Sequence, residues 1–159
     1  MARASGQQDP DATRSSRPRV LFDTNVLLDI VLAREPWATD AVVLLDVAAS
    51  GGIEGFVAAH AVTTIHYVVE REHDRPTALM AVADLLSVLQ VAELGAADFQ
   101  RALALELRDY EDAVQVAACL RVGAQFLVTR NAKDFRGTPV TARGAGEVLA
   151  LLGVLPGGG

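Results

Sequence analysis

Four segments of this sequence place acids or amides where an apolar run stops or an apolar helix begins. They are Phe22-Asp23-Thr24-Asn25, Asp29 on the following helix, Asp109-Tyr110-Glu111-Asp112, and Thr129-Arg130-Asn131-Ala132-Lys133-Asp134-Phe135. Carboxylates and amide carbonyls are hard oxygen donors, and a buried cluster of unpaired acids is costly unless a cation compensates it. A divalent cation held there can activate a water and neutralise charge on a phosphorane-like transition state, the two needs of phosphodiester hydrolysis. Asp23 and Asp112 are the strongest candidate metal ligands. Asn131 can ligate through its carbonyl or hydrogen-bond the attacking water, which makes Asp23, Asp112 and Asn131 the candidate catalytic set. Asp29, Asp109, Glu111 and Asp134 are supporting acids.

Each of these residues also has a plainer reading. An Asp between a strand and a helix is often only an N-cap. Asp109 and Glu111 at a helix start suit the helix dipole. Asp134 can cap a turn, and Asp29, between Leu28 and Ile30, can belong to a solvated stripe. The argument for chemistry is that the signals coincide.

The elements that must position these groups follow from hydrophobic period and stop signals. Residues 19–22 read as a buried strand, with Asp or Thr capping a helix over 26–33. Further helices are expected over 37–49, 60–70, 77–89, 96–107, 109–121 and 144–152. Strands are expected over 55–58, 91–93 and 125–129. Strands alternating with helices predict an α/β fold whose mostly parallel sheet is covered on both faces. In such sheets function gathers at the carboxyl ends of the strands. Asp23 and Asn131 both follow strands.

The chain has 159 residues, 51% of them hydrophobic and 21% charged, enough for one domain with a real core. Residues 1–18 read as a disordered arm, 19–153 as the domain and 154–159 as a flexible tail. Cys119 is the only cysteine, which excludes an internal disulfide and a cysteine-based zinc site. The lack of an apolar run of about 18–20 residues and of a secretory signal predicts a cytoplasmic protein with no membrane contact. A net charge of −6 disfavours broad coating of nucleic acid, yet leaves a metal-bridged nuclease open.

The stretch Val20-Leu21-Phe22-Asp23-Thr24-Asn25-Val26-Leu27-Leu28-Asp29 resembles the opening of PIN-domain proteins, particularly bacterial toxins of the VapC type. Residues 109–118 resemble their third acidic motif, and 126–135 their fourth. The likeness runs from about 19 to 152. It implies a PIN-like three-layer sandwich, Mg2+- or Mn2+-dependent RNA cleavage and often a paired antitoxin. By position Asp23 matches the first acid, Asp112 the third and Asn131 the fourth. Arg130 and Lys133 flank that last motif and are candidate contacts to RNA phosphates. One departure stands out: relatives usually carry a Glu on the helix after the second strand, whereas Ala61 to Val68 contains none and Glu70 comes one turn late. His66 there is read as a helix histidine bonded to a neighbour in preference to a ligand. His60 and His73 carry no special claim.

The leading expectation is therefore a metal-dependent endoribonuclease, the toxin of a toxin–antitoxin pair. A degenerate PIN domain that binds RNA or protein without cutting is the alternative. An aspartyl-phosphate enzyme or receiver domain fits poorly, since Asn25 stands where phosphatases of that kind need a second Asp. The apolar helices over 38–49 and 77–89 offer enough hydrophobic surface for a homodimer.

Overall fold

A computed structural model describes residues 17–154. The expected arm (1–18) and tail (154–159) lie almost wholly outside the described residues. In chain order the elements are β1 (Arg19–Phe22), α1 (Thr24–Val31), α2 (Trp37–Ala49), β2 (Glu54–Ala58), α3 (Ala59–Glu72), α4 (Arg75–Val88) and β3 (Gln90–Ala92). There follow α5 (Ala96–Ala104), α6 (Tyr110–Val122), β4 (Phe126–Val128), a 3-10 helix (Ala132–Phe135), β5 (Ala142–Arg143) and α7 (Ala145–Leu151). No helix among the described residues is long and apolar enough to cross a membrane.

The strands form one sheet in the order β3-β2-β1-β4-β5, every pair parallel. A parallel sheet is covered on both faces, so its strands read as unbroken apolar runs. Val20, Leu21 and Phe22 accordingly have 0% exposure, and each such side chain contributes about 1.5–3 kcal/mol of burial. On one side α6 packs across β1 to β4 with α5 against it; α1, α2, α3, α4 and α7 pack among themselves on the other. The result is the three-layer α/β architecture that the alternating elements predict. Gly55 sets the spacing between the sheet and its helical cover, because a Cβ there would lie 2.6 Å from Leu89 Cδ2 and 3.2 Å from Ala48 Cβ.

Several boundaries differ from the sequence-based expectation. The first helix starts at Thr24, directly after Asp23. The helix expected over 96–107 stops at Ala104, and Glu106 adopts a left-handed φ of 51° in the turn that follows. Asp109 is the cap of α6, accepting at Oδ1 from the Glu111 amide at 2.9 Å. Gly123, at φ 63°, ends that helix as expected. Neither β5 nor the 3-10 helix is foreseen by the hydrophobic pattern.

Candidate functional site

Strand β1 ends in the middle of the sheet, next to β4, at the point where the strand order reverses direction. That is where an open parallel sheet leaves a crevice above its carboxyl edge. Asp23 stands there. Its backbone (φ −61°, ψ 149°) fits an N-cap, but its side chain makes no capping hydrogen bond. The carboxylate is instead buried, with Oδ2 accepting from the Thr129 hydroxyl at 2.9 Å and Oδ1 without any hydrogen-bond partner. Thr129 Oγ1 in turn accepts from the Asn131 amide at 3.2 Å, which fixes the hydroxyl as donor toward Asp23.

The first turn of α6 faces this carboxylate. Asp109, Glu111 and Asp112 each offer an oxygen within 4.8 Å of the others. Burial, followed by the neighbouring charge of Glu111, pushes the Asp23 pKa up to about 6. Burial, then the charges of Asp109, Asp23, Glu111 and Asp134, push Asp112 up to about 7. Asp112 thus feels all four of these acids, which identifies one shared cluster. Asp109, Asp112 and Asp134 line an open depression of about 490 Å³, with Arg108 also on its wall.

Glu111 behaves differently. It accepts from Thr24 Oγ1 at 3.0 Å and from Gln115 Nε2 at 3.0 Å, and pairs with His60 Nε2 at 2.8 Å. Burial opposes its ionisation, but the bonds from His60 and Gln115, the His60 charge and Thr24 outweigh it and hold its pKa below the usual value. Glu111 is therefore a firm anion tying α1, α3 and α6 together. Gln115 completes the group by donating to Thr24 Oγ1 at 2.9 Å. In the linear pattern His60 has no special claim. Its signal is its place two residues beyond the end of β2, close to the sheet edge where Asp23 follows β1.

The remaining sequence candidates divide. Asn131, Lys133 and Asp134 are exposed on the 3-10 segment after β4, and of them only the charge of Asp134 reaches Asp112. Asp29 and Arg130 are brought to each other and away from the acids. Asp29 is fully buried, and its Oδ2 lies 3.1 Å from Arg130 Nε, an ion pair without hydrogen-bond geometry. Burial raises the Asp29 pKa, and the charges of Arg130 and Arg34 oppose that rise. The Arg130 guanidinium also lies 4.5 Å from the centre of the Trp37 ring. On α3, His66 Nδ1 sits 3.6 Å from Glu70 Oε2, which gives the late Glu a partner on its own helix.

The donor set suits a hard divalent cation. It consists of oxygens, one of them, Asp23 Oδ1, is buried and unpartnered, and two of its carboxylates, Asp23 and Asp112, are held back from ionising by burial and by the neighbouring acids.

Solved structures share this fold at low identity. The toxin–antitoxin assembly VapBC2 from Rickettsia felis, bound to a DNA fragment from its promoter, aligns with a TM-score of 0.64 and 16% identity, over 79% of this chain and 98% of that one. VapC20 of Mycobacterium tuberculosis, described as a toxin cleaving the sarcin-ricin loop, gives 0.61 and 17%, over 75% and 95%. A toxin–antitoxin complex from Klebsiella pneumoniae gives 0.60 and 22%, over 79% and 97%. No curated protein matches the sequence. Residues 19–133 match the sequence profile of the PIN domain, a stretch running from β1 through the site to Lys133, and the chain belongs to the PIN-domain family.

Proposed function

We infer that this chain is a Mg2+- or Mn2+-dependent endoribonuclease, the toxin of a toxin–antitoxin pair acting in the cytoplasm. The observation that carries the reading is Asp23, a buried carboxylate at the end of β1 with Oδ1 unpartnered and Asp112 within reach of its charge. Membership of the PIN family supports it, as do two structural neighbours that are toxin–antitoxin assemblies and one named as a toxin cleaving the sarcin-ricin loop.

In this reading Asp23 and Asp112 hold the cation. When bound, it supplies a Lewis acid for the phosphate and a more acidic water. Thr129 keeps one oxygen of Asp23 committed and turns the other toward the metal position. Asn131 orients the water, and Asp109 and Asp134 keep the mouth of the site negative. Lys133, exposed beside them, contacts an RNA phosphate. Arg130, ion-paired to Asp29 and packed on Trp37, contacts RNA beside the acids. Glu111, held by His60, Thr24 and Gln115, acts as a brace for α6. An antitoxin is the protein partner, and the exposed Leu79, Met80 and Leu86 of α4 are a surface for a second copy or for that partner.

Structured RNA incubated with the purified chain is cut in Mg2+ or Mn2+ and left intact in chelator. Asp23→Asn abolishes cutting while the circular-dichroism melt is retained; undiminished cleavage by that variant would refute the assignment. The second reading, a domain that binds without cutting, draws on the absence of a carboxylate between Ala61 and Val68. Calorimetry separates the two, since a saturable Mg2+ or Mn2+ isotherm lost in Asp112→Ala counts against it.

A further inference from the structure

A second depression lies beside the acids, across the 3-10 helix. Ala132 at the start of that helix lines it, whereas Asp134 lines the acidic one. Its volume is about 350 Å³, within the roughly 300–1,000 Å³ usual for small-ligand pockets. Thr129 forms part of its wall and at the same time donates to Asp23, so one hydroxyl links this pocket to the first acid.

Three features show that the pocket is built. Trp37, the only tryptophan of the chain, is 49% exposed on its wall. Arg130 is packed against that ring and held from behind by Asp29, whose carboxylate is fully buried with neither oxygen hydrogen-bonded. On α7, a Cβ at Gly146 would fall 2.6 Å from Asp40 Oδ2, so the missing side chain is what lets the Asp40 carboxylate lie against that helix.

The charges define what fits. Asp29 neutralises Arg130, and Arg143 lies 3.7 Å from Glu147. Asp40 is left as the carboxylate of the wall with no cationic partner among the described residues. Such a pocket repels phosphate. It suits a flat, neutral ring that stacks on an indole and presents N–H donors to a carboxylate. Guanine alone among the common bases has adjacent N1–H and N2–H donors on one edge, matching the two oxygens of a single carboxylate.

We propose that the Trp37–Asp40 pocket is a nucleobase subsite that selects guanine beside the cleaved phosphate, with the face of Trp37 left uncovered by Arg130 as the stacking surface and Asp40 as the acceptor. This deepens the reading of the chain as a ribonuclease and rests on it. One base on one ring differs from the extended aromatic surface of single-strand binders, which a chain with 5% aromatic residues does not possess.

Because Trp37 is alone, its fluorescence reports on the pocket without a label. The full chain is titrated in chelator with guanosine, adenosine, cytidine, uridine, inorganic phosphate and argininamide. Guanosine gives a saturable change, and each other probe binds at least about tenfold more weakly, the margin of one charge-assisted hydrogen bond. Asp40→Asn weakens guanosine by about tenfold, and Gly146→Ala does likewise by displacing the Asp40 carboxylate, with its melt unchanged. Asp112→Asn leaves guanosine binding intact. Equal response to all nucleosides, no response, or saturation by phosphate or by argininamide overturns the proposal, the last assigning the pocket to a peptide cation. RNA cleavage without a guanosine response removes the subsite alone. Guanosine binding without RNA cleavage keeps the subsite and removes the nuclease.

Discussion

Thr129 donates its hydroxyl to Asp23 Oδ2 at 2.9 Å across 106 residues of chain, and Thr129 Oγ1 itself accepts from the Asn131 backbone amide. One hydroxyl therefore joins the ends of β1 and β4 and orients the carboxylate on which the site depends. Thr129→Val removes the one side-chain donor that orients the Asp23 carboxylate. Its divalent-metal affinity should fall about 10–100-fold, the usual cost of losing a group that orients a ligand. Thr129→Ser should retain most of it. Calorimetric titration of Mn2+ into the two variants checks this, and equal affinities would show that the hydroxyl does not orient the ligand.

Stability should depend on pH in a defined direction. Asp23 and Asp112 ionise at about 6 and about 7 in the folded chain, against an ordinary 3.8. Between about pH 4 and 7 the folded state then binds more protons than the unfolded state, so stability falls as pH rises through that window. In chelator the melting temperature should be higher at pH 5 than at pH 8. Mg2+ should restore it at pH 8, and Asp112→Asn should flatten the profile. A chelated protein that gains stability on going from pH 5 to pH 8 would contradict the clustering of these acids.

His60 and Glu111 should prove energetically coupled. Their 2.8 Å contact involves a carboxylate that also has two other donors, so His60→Ala should cost about 1–2 kcal/mol. A double-mutant cycle with Glu111→Gln in urea should return a coupling of about 1 kcal/mol. Strict additivity would mean that the contact contributes nothing.

Gly55→Ala should destabilise the fold by about 1–3 kcal/mol, because the new methyl group meets Leu89 and Ala48 where β2 passes beneath its helices. Thermal melting reads this directly. An unchanged melt would show that α2 and α4 give way freely.

The parts of the fold legible in the sequence were those with a continuous pattern. Val20-Leu21-Phe22 and Phe126-Leu127-Val128 are central strands buried on both faces, so each shows as an apolar run that stops at a polar residue. β5 has two residues, Ala142 and Arg143, and at that length alternation has no period to detect. Around the site, positions were legible and partners were not. Asp29 and Arg130 each looked like a candidate for chemistry, but nothing in linear spacing reveals that the fold sets one against the other. His60 carries no acid and lies in no acidic motif, so only its spatial relation to Glu111 brings it forward.

The order of the strands has a bearing on biosynthesis. β1 lies between β2 and β4, with Val20 opposite both Gly55 and Phe126. In synthesis Asp23 precedes the acids of α6, and the threonine that orients it, 106 residues further on, follows both. A stalled product that stops before α6 has the first acid and none of the groups that surround it. The acids thus reach their final geometry only after β4 has emerged and paired with β1, and no earlier segment of the chain holds them there.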